Sequence, residues 1–285
     1  MSDVSPGPTA PADALEPPLP YQPPPTDGLQ RTLDGRLGDG WWLVLPMAVF
    51  LILLAFVPQV TSWLGLGDFA GYVAAYVART LIVGAILIWL WRRLMAEVEW
   101  THLGTATIFG LVGTVQWIGC DKLLLAAQET VAPDPESAWR LPFWILGTVD
   151  PEDGYNLFEQ IESPLWLVLF IVVRLLGPVL VVPVMEELFW RDWLWRGIIA
   201  PSNYRLAKVG EWDATAFIVT SLAFSVVHPQ RLVAVIWGLL VAWLLVKTRS
   251  LGAIIWMHAV TNLLLGIWVL SAEPLFGLEN EWYFW

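Results

Sequence analysis

Long apolar runs, separated by short polar connections, occupy most of the chain from residue 41 onward. Each run is about 20 residues long, the length at which a helix rising about 1.5 Å per residue crosses the hydrocarbon core of a bilayer. Seven spans are predicted in this way, near residues 41–63, 70–91, 103–126, 164–185, 213–229, 231–248 and 251–271. The pattern therefore predicts an all-α, polytopic transmembrane bundle of about seven spans, within a range of six to eight.

The fourth run contains two prolines and leads directly into charged residues. Pro178 and Pro183 each remove a backbone donor, so we expect the helix to bend or break near them. The helical pattern nevertheless continues past Glu186 to about Ala200. We therefore expect a long helix that carries polar groups inside the membrane.

The first 40 residues differ in composition from the rest of the chain. Nine of the 21 prolines lie between Pro6 and Pro25, and large apolar residues are few. Such a segment cannot bury enough surface to offset the entropy lost on ordering, so residues 1–40 are predicted to form a disordered, Pro-rich tail. The remainder divides into N-terminal transmembrane helices at 41–128, an acidic connection at 129–162, a second helical region at 163–272 and an aromatic tail at 273–285.

The acidic connection is long for a helical membrane protein and has two local patterns of its own. Residues 138–144 predict a short amphipathic helix. Residues 149–156 combine turn formers with acids but lack the twelve-residue ligand pattern of a calcium loop, so an ordered turn is predicted there.

Basic and acidic residues alternate between successive connections. The basic connections contain Arg92, Arg93, Arg196, Arg205, Lys208, Lys247 and Arg249. The other connections and the tail contain Asp68, Glu129, Asp134, Glu136, Asp150, Glu152, Asp153, Glu159, Glu162, Glu273, Glu279 and Glu281. Because cytoplasmic loops carry the excess of lysine and arginine, the N-terminus is predicted to be cytoplasmic and the C-terminus extracytoplasmic, in a cell (inner) membrane.

Composition agrees with a membrane protein. The chain is 57% hydrophobic and 14% charged, far from the balance of soluble domains. Its net charge of −11 argues against nucleic acid as a partner and leaves the lipid bilayer as the predicted environment. Because Cys120 is the single cysteine, an intramolecular disulfide is excluded.

Two adjacent glutamates and an arginine lie in one of the most apolar parts of the chain. Charged side chains at membrane depth are costly and are normally retained with a partner or a function. Residues four apart share a helix face, so Glu187 is predicted to pair with Arg191, while Glu186 is turned away by about 100°. The alternative interpretation is a lateral salt bridge beside a polar residue near a helix end.

Two of the three histidines belong to similar helical pairs. His228 follows Phe224 by four residues, and His258 precedes Asn262 by four, so each pair shares one helix face. His102 begins a span and is interpreted as structural or exposed. A single membrane histidine is usually just hydrogen-bonded to a neighbouring helix, but two of them with an asparagine and an unpaired glutamate call for a shared explanation.

Depth along the helices indicates that these groups can meet. From the cytoplasmic ends of their helices, Glu186 lies about 21 Å deep and His228 about 20 Å deep. His258 and Asn262 lie about 10 and 16 Å deep. The four side chains therefore predict a polar cavity within the membrane, reached by water from the cytoplasmic side.

In this order on successive helices, Glu186-Glu187-xxx-Arg191, Phe224-xxx-His228 and His258-xxx-Asn262 resemble the three motifs of the CPBP intramembrane proteases. That family includes the CAAX-processing endoproteases, and the resemblance covers residues 163–272. The flanking sequences further resemble the CAAX-protease-related subgroup found with bacterial exosortase systems. That resemblance implies an exosortase-type sorting system as a partner.

The resemblance implies an intramembrane endopeptidase that uses an activated water to hydrolyse a peptide bond of a membrane-associated or C-terminally anchored substrate. It makes Glu186 the general base and gives His228 the task of helping to hold the water. His258 and Asn262 would stabilise the oxyanion. The remaining motif residues would be structural support: Glu187, Arg191 and Phe224.

Other chemistries and a non-enzymatic role remain alternatives. Cys120 lies on a different helix, and Ser225 has no third group to orient a base, so a side-chain nucleophile is not favoured. Glu186, His228 and His258 would suffice as the three protein ligands of a catalytic zinc, although a metal-free site is favoured. The alternative function is a non-proteolytic transporter or substrate-binding partner. Transporters commonly contain inverted repeats, and we find none in this sequence, which argues against a transporter.

The charge alternation yields a topology prediction. Cysteines introduced at Ser202 and Glu279 are expected to react with a membrane-impermeant thiol reagent from opposite sides of the membrane, because basic connections stay cytoplasmic. Labelling from the same side would remove both the orientation and the depth argument.

Overall fold

The computed structural model describes residues 27–37, 39–134, 136–278 and 281–285. Most of these residues are helical and none of them lies in a strand, which confirms the predicted all-α class. In chain order the helices are α1 (Gly28–Leu37), α2 (Trp41–Trp63), α3 (Asp68–Leu94), α4 (Leu103–Val131), α5 (Arg140–Leu146), α6 (Leu157–Gln160), α7 (Pro164–Leu176), α8 (Val182–Glu187), α9 (Trp195–Ile199), α10 (Ala214–Val226), α11 (Arg231–Thr248) and α12 (Leu251–Phe276).

Six helices of the described chain are long and apolar enough to cross a membrane, which agrees with the predicted multi-pass architecture. They are α2, α3, α4, the continuous helix over Pro164–Ile199, α11 and α12. The remaining predicted span, 213–229, is the shorter apolar helix α10, with 13 residues. It stops there because Pro229 cannot continue the helical hydrogen-bond pattern, which leaves His228 at the helix end.

The long fourth span does not break at its prolines. It runs without interruption from Pro164 to Ile199, with wider, π-helical turns at Gly177–Val181 and Leu188–Leu194. The N–H of Val182 bonds to the carbonyl of Gly177, five residues earlier. Pro183 has no N–H, so the carbonyl of Pro178 receives no donor from its own helix in this pattern.

Small residues let α4 approach α12 and α11 closely. A Cβ atom at Gly113 would lie 2.8 Å from Nε1 of Trp237, so no larger residue fits there without a shift. At Gly110 the Thr261 hydroxyl donates to the backbone carbonyl at 3.2 Å. Close backbone approach of this kind is a common basis of helix association in membranes.

At one end of the bundle, termed the basic end, arginines of the connections pair with acids from other elements. Arg93 forms two hydrogen bonds to Asp34 of α1, at 2.5 and 2.6 Å. Arg196 pairs with Glu97 at 2.8 Å and with Asp192 at 2.5 Å. These contacts join α1, the end of α3 and α9.

The helix α1 corrects part of the predicted disordered tail over residues 1–40. Residues 28–37 are helical and attached to α3, because Asp34 binds Arg93 and the Gln30 amide donates to the carbonyl of Trp89 at 3.2 Å. Composition alone did not reveal these specific polar contacts. Residues 1–26, which contain nine of the 21 prolines, are outside the described residues.

At the opposite, acidic end, the connection and the C-terminal segment fold onto the bundle. The predicted amphipathic helix is α5, and the predicted turn is ordered by Asp150, which accepts a hydrogen bond from the N–H of Glu152 at 3.0 Å. A short 3₁₀ helix, Glu281–Phe284, contacts α12 through Trp268 and α4 through Asp121 and Lys122. Its Glu281 pairs with Lys122 and its Tyr283 hydroxyl donates to Asp121 at 2.7 Å.

Candidate active site

The four predicted catalytic residues line one cavity of about 360 Å³. Glu186 comes from α8, His228 follows α10, and His258 and Asn262 lie on α12. The lining is mixed, since apolar and aromatic side chains such as Phe224 and Leu265 contribute to it as well. The four residues therefore lie around one cavity, but a polar cavity of the predicted kind is not shown.

The buried centre of this site is Glu187. Its carboxylate lies 3.3 Å from Nη1 of Arg191, and both side chains are fully buried, so the predicted pairing within one helix face is present. The same carboxylate accepts from Nδ1 of His258 at 2.7 Å. The guanidinium of Arg191 in turn stacks 4.5 Å above the Phe224 ring, a cation–π contact. This one cluster joins all three sequence motifs.

The contact between His258 and Glu187 was not predicted. Sequence reasoning associated His258 with Asn262, because both lie on one face of α12. With Nδ1 engaged by the carboxylate, Nε2 is the ring nitrogen that remains for the cavity. Glu187 therefore orients a cavity residue in addition to pairing with Arg191.

Glu186 has a different environment from its neighbour. Its side chain is 3% exposed and lines the cavity, yet its Oε2 has no hydrogen-bond partner among the described residues. A buried carboxylate oxygen without a donor carries a large desolvation cost. The side chain nevertheless lines the cavity, so its carboxylate lies next to the space in which a water molecule or a substrate would bind.

His228 is held by the end of its own helix. Its Nδ1 lies 2.9 Å from the carbonyl oxygen of Phe224, to which it donates in the tautomer that this contact favours. The ring also packs 4.3 Å from the Phe224 ring and 5.8 Å from that of Trp117, centroid to centroid. This arrangement leaves Nε2 as an acceptor toward the cavity.

Asn262 supplies a hydrogen-bond donor that the wide turn of the fourth span lacks. Its Nδ2 donates to the carbonyl of Pro178 at 2.6 Å, the carbonyl that lacks a donor because residue 183 is proline. An asparagine amide carries two N–H donors. One is therefore structural here, and the second is available to the cavity.

Sequence reasoning missed Trp237, which packs against the site. Its ring centroid lies 4.6 Å from that of His258 and 5.2 Å from that of Phe224. Its Nε1 donates to the Thr261 hydroxyl at 3.4 Å. Trp237 lies inside the predicted span 231–248, away from the membrane interface where tryptophan is enriched, and this position was the signal that could have identified it.

The residues of the alternative zinc site lie around the same cavity. In the part of the chain that the structure describes, no group of three His, Cys, Asp or Glu side chains is arranged to hold a metal ion. Of the proposed ligands, His258 uses Nδ1 for Glu187 and His228 uses Nδ1 for a carbonyl. Only their Nε2 atoms and Glu186 would remain for a metal.

Together these features define a multi-pass helical membrane protein with a buried Glu–Arg–His cluster beside an unpartnered glutamate. Residues 165–264 match the family model of the type II CAAX prenyl endopeptidases, described as Rce1-like. The match, which covers about a third of the chain, confirms the resemblance to the CPBP family. It contains all three motifs and indicates an intramembrane endopeptidase of the CAAX-protease type in general terms. No curated protein and no solved structure matches the chain.

Removing the guanidinium of Arg191 tests whether its ion pair with Glu187 stabilises the fold. Arg191→Ala is expected to lower the free energy of unfolding by about 3–5 kcal/mol, because Glu187 would remain buried without its main counter-charge. Reversible denaturant unfolding in detergent micelles measures the change. Arg92→Ala removes an exposed arginine and should cost less than about 0.5 kcal/mol. Equal stability of the two variants would contradict the role assigned to the pair.

Proposed function

We propose that the protein is an intramembrane endopeptidase that hydrolyses a peptide bond of a membrane-associated substrate through a water activated by Glu186. The observation that carries the proposal is the unpartnered Oε2 of Glu186 in the same cavity as His228. A general base needs an oxygen that is free to accept the proton of the attacking water. Glu187 is ion-paired with Arg191 and His258 and does not line this cavity, so it is not placed to act as the base, although its own Oε2 also has no hydrogen-bond partner among the described residues.

His228 is proposed to hold the water. Its Nδ1 is engaged by a backbone carbonyl, so its Nε2 is the atom that accepts a hydrogen bond from the water and aligns it with Glu186. Attack on the substrate carbonyl then transfers one water proton to Glu186, which delivers it to the leaving amine. A positioned base of this kind contributes roughly 10²–10⁴ in rate.

His258 and the free N–H of Asn262 are proposed to stabilise the oxyanion. For this role His258 must carry a hydrogen on Nε2 as well as the hydrogen on Nδ1 that faces the Glu187 carboxylate. The amide of Asn262 is fixed by its bond to Pro178, which limits its motion during the reaction. Each oxyanion donor is worth roughly 10²–10³ in rate.

The orientation of the protein and its partners belong to the same proposal. We place the basic end in the cytoplasm, because arginine and lysine are retained on that side. The substrate is a protein or peptide within or attached to the membrane. The exosortase-type partner rests on the subgroup resemblance alone, and the proposed reaction does not depend on it.

Removing the base without disturbing the fold tests the reaction. Glu186→Gln is expected to abolish turnover while its melting temperature stays close to that of the wild type, because no hydrogen bond is lost. His228→Ala and His258→Ala should each be inactive, whereas Asn262→Ala should keep a residual rate because one oxyanion donor remains. Mass spectrometry of candidate C-terminal peptides incubated with the purified protein measures the products. Full turnover by Glu186→Gln would instead favour the transport or substrate-binding function.

A second prediction separates activated water from bound metal. Activity is expected to survive prolonged chelation, and elemental analysis should find well under one zinc per chain, because Glu186 and His228 are assigned to the water itself. Stoichiometric zinc that is lost in His228→Ala, and that restores activity to stripped protein, would replace the metal-free mechanism.

A further inference from the structure

Two arginines inside the membrane spans line the same cavity as Glu186. Arg79 lies on α3 and Arg174 on α7. Both also line a smaller adjoining cavity of about 170 Å³, next to the wide turn at Gly177–Val181. The mechanism proposed above gives neither of them a role.

Neither arginine has a carboxylate partner among the residues that the structure describes. Arg174 is buried and Arg79 is half-buried, whereas the buried arginines Arg93, Arg191 and Arg196 each form an ion pair. An arginine at membrane depth is costly without a counter-charge. The pair therefore has unsatisfied positive charge.

Aromatic side chains hold the two guanidinium groups but do not neutralise them. Arg174 stacks 4.3 Å above the Tyr76 ring and donates from Nε to the Tyr72 hydroxyl at 2.9 Å. Arg79 lies 5.0 Å above the Phe50 ring and has no hydrogen-bond partner within the described residues. Cation–π contacts occupy the faces of a guanidinium group and leave its edge N–H donors available.

The two positive groups also interact electrostatically with each other. An anion placed between them would replace this repulsion by two attractions, and planar guanidinium groups bind carboxylates through paired hydrogen bonds. The site thus has the donors, the charge and the open space that a carboxylate requires.

Depth favours a carboxylate of a peptide over a lipid headgroup. Arg79 lies 11 residues from Asp68 and 15 from Leu94, the two ends of α3. Its Cα atom is therefore about 16 and 22 Å from those ends at 1.5 Å per residue, whereas headgroups lie at the surface of a hydrocarbon core about 30 Å thick. A lipid phosphate at this position would have to leave its own layer.

We propose that Arg79 and Arg174 form a subsite that binds a carboxylate of the peptide substrate and positions the peptide for cleavage. The inference rests on the proposed endopeptidase function. Arg174 and Glu186 are 12 residues apart in one continuous helix, a separation of about 18 Å. This separation corresponds to about five extended residues between the carboxylate and the scissile bond.

Three peptides that differ only in their charge test this subsite with the full-length protein. One has a free terminal carboxylate, one a terminal amide, and one a terminal amide with a glutamate four residues after the cleavage position. Wild-type protein is expected to cleave a carboxylate-bearing peptide with a kcat/KM about 10–100-fold higher than the uncharged amide, the worth of a charge-assisted hydrogen bond. Which of the two charged peptides is preferred identifies the source of the carboxylate.

The arginine variants carry the decisive comparison. Arg79→Gln, which loses no hydrogen bond, should remove the preference by raising KM for the charged peptide, with little change for the amide. Arg174→Gln should do the same, and Arg79→Lys should retain part of the preference. Arg92→Gln is the matched control and should behave as wild type, because Arg92 is exposed. If Arg79→Gln lowers kcat/KM equally for the charged and the uncharged peptides, the proposed carboxylate subsite is wrong.

Binding to the Glu186→Gln variant separates this inference from the proposed function. Fluorescence anisotropy of labelled peptides should show tighter binding of the carboxylate form, lost when Arg79→Gln is added. If wild-type protein cleaves no peptide but this binding preference is present, the endopeptidase function fails and the subsite stands. An anionic phospholipid that copurifies with the wild type and is lost in Arg79→Gln, without peptide discrimination, would assign the arginines to lipid and overturn the proposal.

Discussion

The fully buried pair of Glu187 and Arg191 constrains the rest of this structure. Removing two charges from water costs several kcal/mol per ion, and only close geometry with further polar partners offsets that cost. Here the partners come from three different helices: the long fourth span supplies the pair, α12 supplies His258, and α10 supplies the Phe224 ring. The relative rotation of these helices is therefore restricted by one electrostatic cluster.

The wide turns of the fourth span add a second constraint. A π-helical turn inserts an extra residue and changes the direction of every later side chain. Two such turns flank the short helix that carries both glutamates. The first exposes the carbonyl of Pro178, and Asn262 binds it, so α12 is fixed to the fourth span at a point next to the cavity. Glu187 and Glu186 thus obtain different environments although they are adjacent in sequence.

Much of the fold was accessible from the sequence because bilayer thickness sets the length of apolar runs, and the pairing of Glu187 with Arg191 followed from helical periodicity. The contact between Glu187 and His258 was not accessible, since it depends on rotations of separate helices that apolar patterns do not specify. The helix α1 was missed because its stability comes from specific bonds such as that between Asp34 and Arg93. Arg79 and Arg174 were visible as charges inside predicted spans, the signal by which Glu186 was found.

The cavity has chemically different ends. Glu186 and the histidines lie toward the motif helices, whereas Arg79 and Arg174 supply positive charge about 18 Å away along the fourth span. A peptide bound between them would be oriented by its own charge, with its carboxylate at the arginines and a carbonyl group at Glu186. The ring of Trp285 lies 5.2 Å from the guanidinium of Arg174 and lines the same cavity. The arginine end is therefore covered by the folded-back C-terminal segment, so a substrate enters either from another side of the bundle or after this segment has moved.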